Sequence, residues 1–433
     1  MNDKNPGPLQ DRLSKDCEPR NDPRRIKRLL EFSQDPNLER RQINLFLGCS
    51  DHQQVERCLS NLRAKLWMEA LPRFLAHSGG EIVCAARFEN NEPVSPIEET
   101  VYLEGEARYF VIGGHCFAQF DQLRVVVSIE PELPGFSIIR VRSTRDPQDF
   151  FHQWETFTRV KNHLRGRTLT AIGTVIELPW SYDWHELVLP EATMEKVRRD
   201  TEEFFHSLPR LRQLGVRTGR RVLFEGPSQT GKTLAGWILS SVLPASFIWV
   251  WPYGLIEMTS FQEIIDLGRF LMPSVLFLED IDVFASASWA NSSMALDELL
   301  GQLDSAVGAQ DMMVIATTNN LAAIEPALEA RPGFFDRVIS FGPLGDDGRR
   351  QLLRRWLRKA VIDEEDMDYL VCVTRGWPGG EIRELVETLK LIALENSTWD
   401  SVDYDPLPIG RAIIDSVVVE VPPCRQGSLP WVS

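Results

Sequence analysis

Residues Arg221 to Leu239 read RVLFEGPSQTGKTLAGWIL and are the most informative stretch of the chain. An apolar strand runs into a glycine-bounded loop that fits the pattern GxxxxGK followed by Ser or Thr, and a helix follows directly. In such a loop the backbone N–H groups turn onto phosphate groups, and the N-terminus of the helix adds a partial positive charge. The stretch therefore predicts a phosphate-binding loop. The residues expected to line it are Gly226, Pro227, Ser228, Gln229, Thr230, Gly231, Lys232, Thr233 and Leu234.

Two side chains of this loop and a group of acids downstream predict a metal-dependent catalytic centre. Lys232 is expected to reach the β and γ phosphates, and the Thr233 hydroxyl is expected to bind Mg²⁺. The segment PSVLFLEDID predicts a buried strand that ends in Glu279, Asp280 and Asp282. Carboxylates at this edge of a parallel sheet face the crevice in which ligands bind, which favours one metal-linked acid and one catalytic acid. The alternative is that the acids only solubilise the end of the strand.

A third predicted strand, MMVIATTNN, ends in Asn319, and a turn with two arginines follows it. An amide at this position could orient an attacking water, although Asn at a strand end also forms turns. In the segment IEPALEARPGFFDRVI, Arg331 and Arg337 flank the turn. Taken alone, these arginines are expected to be surface residues that pair with nearby acids.

The distribution of apolar residues predicts an α/β fold with a separate N-terminal α+β module. Apolar runs such as RVLFEG, SFIWVW, SVLFLED and MMVIATTN alternate with amphipathic helices, which is typical of a parallel sheet flanked by helices. Short β-branched and aromatic runs between residues 81 and 142 predict a small antiparallel sheet. The connector PWSYDWHELVLPE is the expected boundary. The predicted order is a flexible lead-in (1–22), an N-terminal recognition module (23–180), the α/β core (181–345), and a small helical lid with a tail (346–433).

Composition and charge narrow the class of protein. The chain has 433 residues, of which 43% are hydrophobic and 25% charged, so most of it is expected to fold. Its formal net charge of −15 disfavours a general affinity for nucleic acid or anionic membrane. Seven cysteines without a CxxC pair argue against a disulfide framework or a zinc knuckle. No secretory signal or membrane-spanning stretch is evident, so a cytoplasmic protein is expected.

Five segments in order resemble the AAA family of the AAA+ ATPases: GPSQTGKT, VLFLEDID, ATTNN, LEARPGFFDR and TRGWPGGEI. The resemblance covers about residues 186–396, roughly half of the chain, and is to a soluble, bacterial-type member. The acid order ED, where most members have DE, is similar to that of the mitochondrial ATPases that assemble the Rieske iron–sulfur protein. The resemblance implies a P-loop NTPase fold with a helical lid over the nucleotide.

The resemblance also implies roles for single residues. It implies that Lys232 and Thr233 contact the phosphates and Mg²⁺ and that Glu279 occupies the metal-linked position. It implies that Asp280 is the acid that activates water and that Asn319 is the first sensor. It further implies that Arg337 reaches the nucleotide of a neighbouring subunit, and that Gly379 and Gly380 lie where the lid approaches the adenosine. Three departures stand out. Phe334 occupies the position of the first family arginine, and Asp280 replaces the usual Glu, so that the carboxylate is one methylene shorter. PYGLIEMTS lacks the aromatic-apolar-Gly motif that grips threaded polypeptides.

The expected function is that of a Mg²⁺-dependent ATPase that forms a ring of six subunits and remodels a protein or complex. Its cofactors are ATP and Mg²⁺, and its protein client is not identified by the sequence. The alternative is an ATP-gated switch or assembly scaffold that hydrolyses little ATP, which Phe334 and the missing threading motif favour. A DNA-handling ATPase is the third hypothesis, and the net charge disfavours it.

Overall fold

The computed structural model describes most of the chain. The described residues are 37–89, 92–103, 106–120, 123–133, 135–178, 180–252, 261–285, 299–301, 303, 311–329, 331–396 and 407–420. They fall into two compact units, Met1–Arg165 and Gly166–Ser433. The predicted lead-in at residues 1–22 and most of the segment PYGLIEMTS lie outside the described residues.

The first unit is built on a seven-stranded antiparallel sheet. Its strands are β1 (Gln53–Ser60), β2 (Glu81–Glu89), β3 (Glu92–Val94), β4 (Ile97–Leu103), β5 (Glu106–Phe120), β6 (Leu123–Leu133) and β7 (Phe136–Ser143). Its helices are α1 (Leu38–Leu47), α2 (Asn61–His77) and α3 (Gln148–Lys161). The strand order is β1-β7-β6-β5-β2-β3, and β4 pairs with β5. The predicted antiparallel sheet of the N-terminal module is therefore confirmed.

Aromatic packing between two helices forms much of this unit's core. Trp67 on α2 lies 4.8 Å from Phe151 and 4.9 Å from Trp154 of α3, measured between ring centroids. The indole N–H of Trp154 donates a hydrogen bond to the carbonyl oxygen of Trp67 at 3.1 Å. Residues of β7 alternate between buried and more exposed positions, as expected for a strand that packs one face on a core.

The second unit contains a six-stranded parallel sheet. Its strands are β8 (Thr168–Thr170), β9 (Arg220–Glu225), β10 (Ser246–Val250), β11 (Ser274–Leu278), β12 (Met312–Thr318) and β13 (Arg337–Ser340). The strand order is β13-β9-β12-β11-β10-β8. Its helices up to residue 329 are α4 (Glu191–Arg198), α5 (Phe204–His206), α6 (Leu208–Gln213), α7 (Lys232–Val242), α8 (Phe261–Phe270) and α9 (Leu321–Glu329), with a π-helical turn at Arg199–Glu203 and a 3-10 turn at Ile281–Ala285.

The central strands explain why the apolar runs were continuous rather than alternating. Every residue of β10, β11 and β12 is buried, because helices cover both faces of a parallel sheet. The predicted parallel sheet flanked by helices is therefore confirmed.

The boundary between the units lies earlier than the sequence indicated. The division falls at Arg165/Gly166, whereas the connector predicted it at residues 180/181. The reason is β8, which pairs in parallel with β10 and extends the sheet of the second unit. Leu169 in this strand is fully buried. A three-residue strand carries no periodicity that could assign it to one sheet or the other.

The C-terminal part of the second unit is a helical subdomain with its own core. It contains α10 (Asp346–Trp356), α11 (Glu364–Val373), α12 (Gly379–Glu395), α13 (Arg411–Glu420) and the short parallel pair β14 (Ala360–Val361) and β15 (Leu407–Pro408). Leu353, Leu370, Leu385 and Ile414 are fully buried in this core. It occupies the segment in which the sequence predicted a helical lid, and its action as a lid stays a prediction. Among the helices in the described part of the chain, none has both the length and the apolar character needed to cross a membrane.

Candidate nucleotide site

The loop between β9 and α7 depends on glycine at both of its ends. Gly226 has a φ of 144°, and a Cβ atom there would lie 2.3 Å from the carbonyl oxygen of Phe341. Gly231 has a φ of 100°, and a Cβ atom there would lie 2.7 Å from Cδ1 of Leu187. L side chains rarely adopt such φ values, so both positions require glycine. Between them Gln229 takes a positive φ of 64°, a strained conformation that is common at ligand-binding sites.

The lysine of the loop is buried and bonds to the loop itself. The Lys232 side chain donates hydrogen bonds from Nζ to the carbonyl oxygens of Gly226 and Pro227, both at 2.7 Å. Burial lowers its pKa to about 8, although the nearby carboxylates of Asp280 and Asp282 oppose this shift. A phosphate in the loop would supply the negative charge that a buried ammonium group requires.

The remaining loop residues divide into supporting and accessible groups. Thr230 is buried and donates from Oγ1 to the carbonyl oxygen of Pro227 at 2.9 Å. Leu234 packs against the hydrophobic core of the second unit. Ser228, Gln229 and Thr233 are exposed. The loop therefore presents its accessible polar groups beside the buried ammonium group of the lysine.

Thr233 and Glu279 form a pair of oxygen donors suited to a magnesium ion. Thr233 Oγ1 donates to Glu279 Oε1 at 2.5 Å. The second carboxylate oxygen, Oε2, accepts a hydrogen bond from Nε1 of Trp249 at 3.1 Å. Hydroxyl and carboxylate oxygens are the ligands that Mg²⁺ prefers, so these residues fit the predicted metal. Nothing in the sequence pointed to Trp249, because its contact depends on how β10 and β11 are paired.

The structure brings the predicted catalytic acid and the predicted sensor into contact. Asn319 Nδ2 donates to Asp280 Oδ1 at 2.9 Å, and the backbone N–H of Asn319 donates to Asp282 Oδ1 at 3.2 Å. The backbone N–H of Asp280 donates to Thr317 Oγ1 at 2.9 Å, and Asp280 has a positive φ of 49°. Burial and the neighbouring carboxylate of Glu279 raise the pKa of Asp280, which makes it a stronger base.

Gly380 of the helical subdomain contacts the loop. The N–H of Gly380, near the start of α12, donates to the carbonyl oxygen of Gln229 at 3.3 Å. A Cβ atom on Gly380 would lie 2.5 Å from Gln229 Oε1 and 2.9 Å from Gln229 Cβ, whereas one on Gly379 would meet only ordinary contacts at 3.5 Å or more. The close approach explains the glycine at position 380 and identifies Gln229 as a lid contact that the sequence did not reveal.

Arg337 and Phe334 occupy the two positions at which the resemblance implies arginine fingers. Arg337 begins the edge strand β13, where its Nε lies 3.3 Å from Asp200 Oδ1 and its Nη1 donates to the carbonyl oxygen of Asp336 at 2.7 Å. Its side chain is 52% exposed. Phe334 is buried, and the guanidinium of Arg221 lies 4.4 Å from the centre of its ring. Phe334 is therefore a packing residue.

A second group of potential metal ligands occurs in the first unit. Glu39, His115 and Glu130 place ligand-type atoms within 4.8 Å of one another. Arg140 Nη1 donates to both carboxylate oxygens of Glu130 at 3.1 Å. A guanidinium in this position competes with a cation, so we assign these side chains to the packing of the sheet.

Comparison with known proteins agrees with this geometry. Residues 222–343 match the family described as "ATPase family associated with various cellular activities (AAA)". This region is an AAA domain of the P-loop NTPase class. The matched residues include the loop, Glu279, Asp280, Asn319 and Arg337.

The curated relatives match a longer part of the chain than the family model does. The chain is 30% identical over 219 residues to the cell division cycle protein 48 homolog of Archaeoglobus fulgidus, covering 48% of this chain and 30% of that protein. It is 28% identical over 219 residues to the ATP-dependent zinc metalloprotease FtsH 4 of Sphaerobacter thermophilus, covering 47% and 33%. The crystal structure of the FIGL-1 AAA domain in complex with ADP is 21% identical, with a TM-score of 0.48 over 58% of this chain and 88% of that chain. The chain thus spans about a third of the length of these curated relatives.

Proposed function

We propose that this chain is a Mg²⁺-dependent ATPase whose AAA domain binds and hydrolyses ATP. The observation that supports this most is the convergence of three groups at the carboxyl ends of neighbouring parallel strands. These groups are the buried Lys232, the Thr233–Glu279 donor pair and the Asp280–Asn319 pair. Such an edge is where open α/β sheets bind ligands.

Each group has a separate task in the proposed reaction. Lys232 exchanges its bonds to the loop carbonyls for bonds to phosphate oxygens. Thr233 and Glu279 would hold Mg²⁺, and a bound Mg²⁺ would supply charge neutralisation at the phosphates. Asp280 accepts a proton from the attacking water, and its raised pKa suits this role. Asn319 holds the Asp280 carboxylate in place and keeps one of its oxygens occupied.

We further propose that the protein acts as a homo-oligomeric ring, six subunits being the expected number, in which Arg337 serves the nucleotide of the neighbouring subunit. Its half-exposed side chain supports this role, because an exposed guanidinium is available to another subunit. The first unit would then select a protein client for remodelling. The zinc metalloprotease activity in the name of the FtsH relative is not proposed, because the sequence has no HExxH segment to bind the metal.

The second candidate function is an ATP-gated switch that hydrolyses little ATP. The buried Phe334 favours it, because the position implied to supply a second transition-state charge is committed to packing. Under this alternative the nucleotide would control assembly without sustained turnover.

Phosphate release with Mg-ATP over a range of protein concentrations separates the two functions. We expect specific activity to rise with concentration, and Lys232→Ala and Arg337→Ala to abolish it. Lys196→Ala and Arg198→Ala are matched controls, since both residues are exposed and lie outside the five segments that resemble the family. Tight ATP binding without phosphate release at any concentration would favour the switch, and wild-type activity in Lys232→Ala would exclude both.

A further inference from the structure

Trp249 occupies a position from which it can control the metal-linked acid. It lies on β10 opposite Phe277 of β11, and Glu279 stands two residues after Phe277, directly after the end of that strand. Because residues two apart on a strand share a face, Trp249 and Glu279 lie on the same face of the sheet. The indole is fully buried, and its N–H is directed at Glu279 Oε2 at 3.1 Å.

Neighbouring aromatic rings fix the orientation of this indole. Trp237 of α7 stacks on it at 3.8 Å between ring centroids, with an interplanar angle of 19°. Phe277 lies at 4.5 Å, and Trp251 stacks at 5.7 Å. A ring held on several sides cannot turn its N–H away without disrupting close packing.

The metal-linked acid has a particular need for such a restraint. Glu279 stands where most members of the AAA family have aspartate, and a glutamate side chain has one more rotatable bond than an aspartate side chain. Thr233 holds one carboxylate oxygen, and the Trp249 N–H holds the other. A bond to a charged acceptor is stronger than one between neutral groups, so it can select one orientation of the carboxylate.

We propose that Trp249 is a positioning residue that aligns the Glu279 carboxylate for Mg²⁺. This inference rests on the proposed nucleotide site and deepens it. Packing alone would be satisfied by a phenylalanine at position 249. The N–H group makes the difference, since a buried indole N–H requires an acceptor and here uses a carboxylate oxygen of the candidate metal site.

Trp249→Phe keeps an aromatic ring in the stack and removes only the donor. The measurement is ATP affinity by calorimetry, once in excess EDTA and once across a Mg²⁺ titration. We expect the ATP affinity in EDTA to be unchanged. We expect the Mg²⁺ concentration that gives half of the Mg²⁺-dependent gain in ATP affinity to rise about tenfold, because one hydrogen bond to a charged group is lost. Trp237→Phe keeps an aromatic ring against the indole and leaves the Trp249 N–H in place, so it should retain wild-type Mg²⁺ dependence. A wild-type Mg²⁺ response in Trp249→Phe would overturn the proposal.

A double-mutant cycle with Glu279→Asp distinguishes loss of the Trp249–Glu279 hydrogen bond from a general packing defect. The shorter carboxylate cannot span the same distance to the indole, so Trp249→Phe should add nothing to the Mg²⁺ defect of Glu279→Asp. Additive defects would overturn the positioning role. Because the readout is Mg²⁺-dependent binding, it remains decisive if the wild-type protein binds ATP without hydrolysing it. Absence of any ATP binding by the wild-type protein would overturn the nucleotide site and this inference together.

Discussion

Phe334→Arg supplies the arginine that the family resemblance implies at this position. From the structure we nevertheless expect a lower free energy of unfolding and no gain in ATPase activity. Phe334 is 4% exposed, and the Arg221 guanidinium lies 4.4 Å above its ring. A second guanidinium at that separation would repel the first by about 4 kcal/mol at an effective dielectric constant of 20. The favourable cation–π contact, worth about 1–2 kcal/mol, would also be lost. The new side chain could partly relieve this cost by extending toward solvent.

Thermal and chemical unfolding of the full chain measure the effect. A destabilisation of about 4 kcal/mol corresponds to a melting temperature lowered on the order of 10 °C for a domain of this size. Phe334→Leu is the matched control: it also loses the cation–π contact but keeps an apolar side chain and adds no charge, so it should cost about 2 kcal/mol. Wild-type stability in Phe334→Arg together with faster phosphate release would refute this interpretation and restore the view that a catalytic arginine is simply missing.

Three further predictions concern the site. Asn319→Ala should lower phosphate release by about 100-fold or more with ATP affinity retained, because Asp280, the proposed catalytic acid, loses the hydrogen bond that holds its carboxylate. Gly380→Ala should weaken nucleotide binding by pressing on Gln229, whereas Gly379→Ala should not. Lys232→Met should raise the free energy of unfolding of the nucleotide-free protein. The gain over the wild type should be largest at and below about pH 8 and should decline toward pH 10.5. The reason is that burial lowers the pKa of Lys232 in the folded protein, so the charged lysine destabilises the fold.

Each of these has a result that would contradict it. Full turnover in Asn319→Ala would remove the residue from the mechanism. Equal ATP affinities for the two glycine variants, measured by calorimetry, would show that the lid does not approach the loop as described. A stability difference between Lys232→Met and wild type that is constant from pH 7 to 10.5, measured by urea unfolding, would contradict the lowered pKa.

The sequence predicted the loop, the acids and Asn319 because their positions follow from rules about strands. A run of buried apolar residues identifies each parallel strand, and the carboxyl ends of such strands meet at one edge. Hence Glu279, Asp280 and Asn319 could be grouped without coordinates. The roles of these residues, including Lys232, remain predictions until measured.

Contacts that depend on strand pairing or on close approach could not be predicted. The bond from Trp249 to Glu279 requires the register of β10 against β11. The approach of Gly380 to Gln229 requires the packing of the lid. The packing role of Phe334 could not be predicted, because from the sequence alone this residue was interpreted only as the replacement of a family arginine. The unit boundary was misplaced since β8 has only three residues.

Subunit mixing tests the central claim, a nucleotide site shared between neighbouring subunits, most directly. Lys232→Ala removes the phosphate contact and Arg337→Ala removes the contribution to the neighbour, so each variant alone should be inactive. In an equal mixture, intact sites form wherever an Arg337→Ala loop faces the Arg337 of a Lys232→Ala subunit. Random assembly gives such sites at about a quarter of the interfaces. Recovery of phosphate release near that fraction is the predicted result, and a mixture as inactive as its components would contradict the claim.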